Sequence, residues 1–351
     1  MSVSTSIAWT DATWTPLRAR RLDDGKVGWH CEKVSAGCAS CYAETFNGRR
    51  LPNGGTGLPY ARDKRGLSEH YIDESILAQP LKWRKPRRVF VCSMTDLFGE
   101  WVTDDQIDQV FAVMALARQH TFQVLTKRAD RMRSWAESRS RRTKHVSDAG
   151  IRLIEENGWC VEERWEGCFP SRNVHLGVSV EDQATADARI PALLATPAAV
   201  RFVSYEPALG PVRLHEAWVG WGGVVSSGDG PAPFRSGDRV CVKHGREINW
   251  LIVGGESGLG ARPCDVAWIR SIVGQCRDAL VPCFVKQLGA HPVEYPTVAH
   301  QVRGGAADGQ RFTSRKVYDP DDPPPRLFLS DRKGGDPLEW DSDLRVREFP
   351  R

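Results

Sequence analysis

The sequence predicts an α/β protein built as a complete or partial (β/α) barrel of the TIM type, with six to eight parallel strands and several insertions. Short apolar runs rich in β-branched residues alternate with segments that have the apolar spacing of an amphipathic helix. Strands that alternate with helices pair in parallel, through right-handed crossovers. The length of 351 residues suits a single barrel domain over residues 1–351 and does not require two domains.

The first part of the chain contains one strand, a cysteine-rich loop and one insertion. Residues 7–14 alternate aromatic and β-branched side chains, which predicts a strand leading towards the cysteines. Residues 18–26 are predicted to be an insertion. A short helix is predicted over residues 42–46, and the glycines at positions 54, 55 and 57 end it.

From residue 87 onwards the chain alternates predicted strands with predicted helices. The strands are expected at residues 89–93, 122–126, 174–180, 201–205, 250–253 and 282–286. The helices are expected at residues 104–118, 127–136, 182–194, with Asp182 as the N-cap, and 265–279. Three further segments are expected outside the barrel: an insertion at about 137–172 with a helix near 151–157, a mobile insertion at about 219–247, and a C-terminal extension at about 290–351.

The composition is that of a soluble globular protein and excludes several classes. Hydrophobic residues make up 41% of the chain and charged residues 26%. No apolar run reaches the length of a membrane span, and the first residues lack the layout of a signal peptide. The ten cysteines, partly clustered, fit a reducing compartment better than a disulfide framework. We therefore expect a cytoplasmic protein with no membrane partner.

Three cysteines lie close together after the first predicted strand. Six residues separate Cys31 from Cys38, and two separate Cys38 from Cys41. Soft thiolates select zinc or iron–sulfur clusters. A structural zinc site takes four protein ligands, and no fourth Cys or His lies at a matching short distance downstream. Three thiolates instead suit a four-iron four-sulfur (4Fe-4S) cluster whose remaining iron binds a small molecule, with a zinc site or buried unligated cysteines as the alternatives.

Most of the other cysteines are expected to pack in the core, with one alternative. Cys160 with Cys168, and Cys241 with His244, could together form a zinc site within the predicted insertions. Neither pair has the spacing of a zinc knuckle.

Polar residues lie at the carboxyl end of every predicted strand after residue 87. They are Ser93 and Asp96, Thr126 and Lys127, Ser179 and Glu181, Ser204 and Glu206, Glu256 and Ser257, and Lys286 and Gln287. In a (β/α) barrel the carboxyl ends of the strands form one mouth, and active sites lie there. Because unpaired buried charges are costly, these groups need either a polar ligand or an internal network of salt bridges.

Basic residues occur in clusters although the formal net charge is only +4. The clusters are Arg18, Arg20 and Arg21; Lys82, Arg84, Lys85, Arg87 and Arg88; and Arg128, Arg131, Arg133, Arg139, Arg141, Arg142 and Lys144. With Trp83 and Trp135 between them, they suit a phosphate backbone and stacked bases, which predicts a nucleotide or nucleic-acid substrate. The alternative is a set of solvated helix faces.

Several blocks resemble a phage-associated family of unknown function. They lie at residues 204–212, 253–263, 284–287 and 331–340, and accompany the three-cysteine loop. Members of that family carry this motif, are often encoded beside a three-Cys-motif partner protein, and are regarded as similar to radical S-adenosylmethionine (SAM) enzymes. The cysteine loop also resembles theirs, although the usual loop has three residues, not six, between its first two cysteines.

Two strand ends are similar to those of spore photoproduct lyase, a radical SAM protein. They are residues 125–127 and 178–180, and the resemblance implies that Lys127 and Ser179 lie near SAM. Residues 254–256 look like the motif that holds the SAM amino group, but they follow a late strand. Asp96, Glu206, Glu256 and Lys286 are therefore assigned to the cofactor site by their strand-end positions, without individual roles.

The resemblance implies a radical SAM enzyme. Cys31, Cys38 and Cys41 would bind the 4Fe-4S cluster, and SAM would be cleaved to a deoxyadenosyl radical for the modification or repair of a nucleotide or nucleic acid. Such an enzyme needs a reductant such as ferredoxin or flavodoxin. The alternative is a non-catalytic barrel that binds zinc or an iron–sulfur cluster and recognises nucleic acid or a partner protein.

Overall fold

The structure of the protein is a computed structural model that describes residues 5–48, 55–141, 144–157, 170–224, 239–241, 247–294 and 325–350. Its strands are β1 (Ala12–Trp14), β2 (Leu17–Arg21), β3 (Val27–Gly28), β4 (Ser68–Ile72), β5 (Arg88–Val91), β6 (Thr121–Thr126), β7 (Val174–Val180), β8 (Val200–Tyr205), β9 (Trp221–Val224), β10 (Arg239–Cys241), β11 (Trp250–Gly254), β12 (Cys264–Asp265), β13 (Cys283–Gln287) and β14 (Pro292–Val293). Its α-helices are α1 (Tyr42–Asn47), α2 (Glu74–Leu77), α3 (Gln79–Lys82), α4 (Asp104–Leu116), α5 (Ala129–Arg141), α6 (Lys144–Asn157), α7 (Gln183–Ala195) and α8 (Val266–Asp278). None of the helices described has the length and hydrophobicity needed to cross a bilayer.

The main sheet has seven parallel strands in the order β1-β5-β6-β7-β8-β11-β13. It curls into half of a barrel. The predicted α/β class with parallel strands is therefore confirmed in the form of a half-barrel. Among the described residues, β1 and β13 do not pair with each other, so no closed barrel of the TIM type is seen.

The two faces of the sheet carry different side chains. Val89, Val91, Leu251 and Val253 point towards the helices and belong to the main hydrophobic core. On the inner face a second core cluster lies near the starts of the strands, and it contains Trp9, Phe90, Phe202, Trp250, Ile252 and Phe284. We call this cluster the aromatic floor. It fills the amino end of the half-barrel, so the inner face is left polar at the carboxyl end.

The helices that cover the sheet begin at residues whose side chains cap them. The Asp182 carboxylate accepts a hydrogen bond from the Thr185 N–H at 2.9 Å, which confirms the predicted cap of α7. Thr103 and Gln106 form a reciprocal capping box at the start of α4. The Asp265 carboxylate caps α8 by accepting from the Ala267 N–H at 2.9 Å. These caps fix where each helix starts relative to the strand before it.

The structure differs from the sequence prediction in several segments. The strand predicted over residues 7–14 covers only Ala12–Trp14, and the helix predicted over 127–136 continues to Arg141. The predicted insertion at residues 18–26 belongs to a three-stranded antiparallel sheet in the order β3-β2-β4. The helix predicted near 151–157 starts much earlier, at Lys144. Part of the predicted mobile insertion at 219–247 forms an antiparallel pair, β9 with β10. Each difference depends on a partner that is distant in sequence or on a boundary that local periodicity does not mark.

Part of the predicted C-terminal extension covers the edge of the main sheet. The Val285 N–H donates to the Val346 carbonyl at 2.8 Å, and the Glu348 N–H donates to the Cys283 carbonyl at 2.9 Å. The indole N–H of Trp250 donates to the Glu348 carbonyl at 2.8 Å. These contacts satisfy backbone groups of β13 that an exposed edge strand would leave open for pairing with another chain.

Candidate functional site

The cysteine loop, residues 29–41, lies against the carboxyl ends of the parallel strands. The Thr95 hydroxyl, after β5, donates to the His30 carbonyl at 2.5 Å. The Arg128 guanidinium, after β6, donates to the Glu32 carbonyl at 3.1 Å. The residues on both sides of Cys31 are therefore fixed to two neighbouring strand ends.

The turn that carries Cys38 contacts two other strand ends. The Ser35 hydroxyl donates to the Glu181 carboxylate, after β7, at 2.9 Å. The Arg262 guanidinium, in the segment after β11, donates to the Ala36 carbonyl at 2.8 Å. A Cβ atom on Gly37 would lie 2.5 Å from the Glu181 Oε1, so this close approach requires glycine.

Cys41 directly precedes α1, and the residue after it holds that helix in place. The Tyr42 hydroxyl donates to the Ser93 carbonyl at 2.5 Å, in the segment after β5. The Tyr60 hydroxyl donates to the neighbouring Met94 carbonyl at 2.7 Å. Cys31 and Cys41 both pack on a small buried cluster that includes Tyr60. The cysteine loop is thus attached at Cys31, Cys38 and Cys41 to the same end of the half-barrel.

All three thiols are free and only partly buried. Burial raises the pKa of the Cys31 thiol to about 12, and a charge on Cys41 acts in the same direction. Burial also raises the pKa of Cys41, with a further contribution from Cys38. The thiols are therefore electrostatic neighbours in a setting that favours the protonated form. A bound cation would reverse this preference, because metals bind cysteine as the thiolate.

The three thiols of the cysteine loop are soft donors, the type that zinc and iron–sulfur clusters both bind, and the choice of a cluster stays a prediction. As the side chains lie here, no group of three His, Cys, Asp or Glu residues among those described converges on a single ion. Thiolates around one zinc ion lie about 3.8 Å apart, since each Zn–S bond is about 2.3 Å long. In a cluster each thiolate bonds to a different iron, so the sulfurs are farther apart. Three soft donors held over one mouth match the cluster in type and number.

Two of the predicted site residues meet directly beside the cysteine loop. The Lys127 ammonium donates to the Ser179 hydroxyl at 2.9 Å and forms an ion pair with Glu181. The Glu181 side chain is completely buried and also accepts from the Arg189 guanidinium at 3.1 Å. Glu181 therefore joins the cysteine loop, through Ser35, to Lys127.

Sequence reasoning placed Glu181 among the polar strand ends but did not assign it to the site. The only signal in the sequence was its position at the carboxyl end of β7, and Ser179 lies at the same strand end. The contact with Ser35 joins residues that are far apart in the chain. No local pattern could have predicted that contact.

The other predicted pair lies on the same inner face. The Lys286 ammonium is 2.8 Å from the Glu206 Oε1. The Ser204 hydroxyl donates to the second Glu206 oxygen at 3.1 Å, and the Ser179 hydroxyl donates to the Glu206 carbonyl at 3.2 Å. The structure thus brings Lys127, Ser179, Glu206 and Lys286 into one network. The two lysine side chains remain partly exposed, at 20% and 26%.

A comparison with protein families adds one match. The family model described as "Protein of unknown function (DUF5131)" matches residues 4–316. The chain belongs to this family. No curated protein and no solved structure matches this chain. The match confirms membership of an uncharacterised family over nearly the whole chain, whereas the likeness to radical SAM enzymes and to spore photoproduct lyase stays a prediction.

In this DUF5131 protein, the carboxylates of the remaining two predicted site residues, Asp96 and Glu256, accept hydrogen bonds from other protein groups. Asp96 accepts from the Thr126 hydroxyl at 2.7 Å, the Lys127 N–H at 3.1 Å and the Arg128 guanidinium at 3.0 Å. Glu256 is held by Arg262 through two side-chain hydrogen bonds, at 2.9 and 2.6 Å. Both residues lie at the expected end of the sheet, where they orient neighbouring cations.

The basic clusters of this DUF5131 protein are spread over different parts of the half-barrel. Residues 82–87 precede β5, so they lie at the amino end of the sheet, and Arg88 pairs with Asp11 at 2.8 Å. On α5 the arginines pair with acidic neighbours, as Arg139 does with Asp108 at 2.7 Å. Arg131 and Arg133 also form ion pairs. Two cluster members contact the cysteine loop: Arg128 donates to the Glu32 carbonyl at 3.1 Å, and the Arg18 guanidinium lies 4.4 Å from the centre of the Trp29 ring. The nucleic-acid substrate stays a prediction.

The remaining cysteines fall into two groups. Cys92, Cys264, Cys276 and Cys283 are buried, as predicted for core residues. Cys160, Cys168 and His244, together with the basic residue Arg142, lie outside the described residues, and Cys241 ends β10. The hypothesis of a second zinc site therefore stays a prediction.

Proposed function

We propose that the protein is an iron–sulfur enzyme of the radical SAM type. Cys31, Cys38 and Cys41 hold a 4Fe-4S cluster, and the charged mouth beside them binds SAM. One observation carries the proposal: three free thiols are held by four strand ends directly beside two partly exposed lysines. When bound, the cluster supplies the electron that cleaves the sulfonium of SAM, which protein side chains cannot supply.

The charges of the mouth suit a ligand that is itself a zwitterion. Lys127 is paired with Glu181, and Lys286 with Glu206, so neither ammonium is an isolated buried charge. The carboxylate of a zwitterion can be bound by a lysine, while its ammonium or sulfonium is bound by a glutamate. Exchange of partners keeps each charge paired, which avoids the cost of leaving one unpaired in a half-buried site.

The proposed partners follow from the same position. The cysteine loop is partly exposed, so a one-electron donor of the ferredoxin or flavodoxin type can approach it. A nucleotide or nucleic-acid substrate and a three-Cys-motif partner protein remain part of the proposal on sequence grounds alone. The amino end of the half-barrel is filled by the aromatic floor, so a substrate would enter from the cysteine side.

Anaerobic reconstitution with iron and sulfide tests the proposal. We expect about four irons and four sulfides per chain, and 5′-deoxyadenosine after addition of SAM and a reductant. A Cys38→Ala variant should lose the cluster and the product. The matched control is Cys276→Ala, which removes a thiol buried in α8 away from the mouth and should retain both.

Two results would contradict the proposal. One is a colourless protein that binds one zinc ion per chain through the same cysteines. The other is a Cys38→Ala variant with the iron content of the unaltered protein.

A further inference from the structure

Arg262 lies between the end of β11 and the cysteine loop. Its Nε donates to Glu256 Oε2 at 2.9 Å, and its Nη2 donates to Glu256 Oε1 at 2.6 Å. The Arg262 backbone N–H also donates to Glu256 Oε2 at 2.9 Å. Although burial opposes ionisation of Glu256, these hydrogen bonds hold its pKa below the usual value. The guanidinium is therefore fixed by a charged, two-point contact.

The third nitrogen of the same guanidinium reaches the cysteine loop. Nη1 donates to the Ala36 carbonyl at 2.8 Å. The Ser40 side chain lowers the pKa of Glu256 slightly, so Ser40 is a neighbour of this carboxylate. Arg262, held by Glu256, thus contacts the loop two residues before Cys38, and we call Glu256 and Arg262 the Arg262 clamp.

The turn that carries Cys38 has little else to hold it. It is a 3-10 turn over Ala36–Cys38 without a buried residue, and its close packing is the approach of Gly37 to Glu181. Within the turn, the Cys38 N–H donates to the Ser35 carbonyl at 3.0 Å. Its side-chain links to the half-barrel are the Ser35 contact with Glu181 and the Arg262 clamp.

We propose that Arg262, oriented by Glu256, is a positioning residue that places Cys38 relative to Cys31 and Cys41. This inference rests on the proposed function, because the purpose of the placement is the binding of one cluster by three thiolates. Both Glu256 oxygens accept hydrogen bonds from Arg262, so Glu256 acts on the loop through Arg262.

The effect is specific to one of the three cysteines. Cys31 lies between two carbonyls that accept hydrogen bonds from Thr95 and Arg128. Cys41 is fixed by its place at the start of α1. Loss of the clamp should therefore free Cys38 and leave Cys31 in place.

The reactivity of each thiol in the metal-free full-length chain tests this directly. The chain is treated briefly with N-ethylmaleimide, and each cysteine is followed by peptide mass spectrometry. In Arg262→Gln we expect Cys38 to react about tenfold faster, since loss of a hydrogen bond to a charged group shifts a local opening equilibrium by about that factor. The rate at Cys31 should not change.

A matched control is Arg270→Gln. Arg270 is also a bridging arginine, paired with Glu294, Asp341 and Asp343, and its side chain is 35% exposed against 30% for Arg262. It lies on α8, away from the loop, so the rate at Cys38 should stay at that of the unaltered chain. In Glu256→Gln, Cys38 should also react faster than in the unaltered chain. In the double variant with Arg262→Gln, Cys38 should react no faster than in Arg262→Gln alone, because both changes remove the same contact between Arg262 and the loop.

Three results would overturn the inference: an unchanged Cys38 rate in Arg262→Gln, an equal increase in Arg270→Gln, or an equal increase at Cys31. Iron uptake separates this inference from the proposed function. If the unaltered chain takes up no iron, the proposed function and the purpose assigned to the clamp both fail, whatever the thiol rates. If the unaltered chain holds a cluster and Arg262→Gln matches it in both iron content and Cys38 rate, the inference alone fails.

Discussion

At the scale of single residues, Glu181 joins the cysteine loop to the polar mouth. Its buried carboxylate is paired with Lys127 and Arg189, and it also accepts from the Ser35 hydroxyl. A buried carboxylate with two cations is stable only as a set, because removal of one partner leaves an uncompensated charge. The cysteine loop and Lys127 are therefore coupled through one side chain.

A second residue, His175, sets a pH dependence of stability. It comes from β7 beside Gln123 of β6 and is neutral in the fold, because burial lowers its pKa from 6.5 to about 4. The unfolded chain therefore binds the proton more readily than the folded chain. Stability is unaffected above about pH 6.5 and falls as the pH decreases towards 4, by at most about 3 kcal/mol from this residue.

Urea unfolding at a series of pH values from 8 to 4 measures this loss. His175→Gln should make the stability less dependent on pH between 6.5 and 4. His215→Gln, at an exposed histidine, is the control and should leave the profile unchanged. A profile that is equally steep in His175→Gln would contradict the assignment.

At the scale of elements, the cysteine loop depends on close approach to the end of β7. A Cβ on Gly37 would lie 2.5 Å from Glu181 Oε1 and 2.7 Å from its Cγ. We expect Gly37→Ala to push the turn away from Glu181 and to lower stability by about 1–3 kcal/mol, as overpacking does. Iron uptake after reconstitution should fall together with the unfolding free energy.

Gly274→Ala is the matched control for this change. Gly274 lies inside α8, and a Cβ there would meet nothing within 4 Å. Alanine in a helix interior is favoured over glycine by about 0.5–1 kcal/mol, so this variant should be more stable and keep its iron uptake. If Gly37→Ala were as well tolerated as Gly274→Ala, the contact with Glu181 would not constrain the turn.

At the scale of the whole molecule, the two ends of the half-barrel differ in character: one is apolar and the other is charged. The aromatic floor fills the amino end, and the charged network occupies the carboxyl end. An open half-barrel has two edges, and the described C-terminal residues cover one of them at β13. The fold therefore needs residues close to the end of the chain in order to complete the sheet.

Removal of residues 346–351 tests the role of this segment. The change deletes the backbone bonds to β13 and removes Phe349, whose ring lies 5.6 Å from that of Trp250. We expect stability to fall by about 1–3 kcal/mol, since the Phe349 ring is half-buried, and the exposed edge to promote aggregation. Chemical unfolding and light scattering measure the two effects.

Phe349→Ala separates the two contributions. It removes a ring that packs against the aromatic floor but keeps the backbone that covers β13. We expect a loss of stability without aggregation. Equal aggregation of both variants would show that the floor, and not the edge, is responsible.

Much of the framework was predictable because its signals are local. Strand β7 has the predicted bounds, and α7 starts at the predicted cap, Asp182. The predicted polar strand ends lie at the same end of the sheet as the cysteine loop. The bounds of the insertions were less accurate, since β2 and β4 form a sheet only by pairing across some 50 residues of chain.

The sequence by itself determined the order of strands and helices, the parallel pairing and the residue types at the strand ends, because these follow from periodicity and local chemistry. Only the tertiary structure decided that the barrel is half-formed, that Lys127 meets Ser179 and Glu181, and that Arg262 reaches the loop around Cys38. Partners of polar side chains depend on distances between segments far apart in the chain. Those distances are set by packing of the whole sheet.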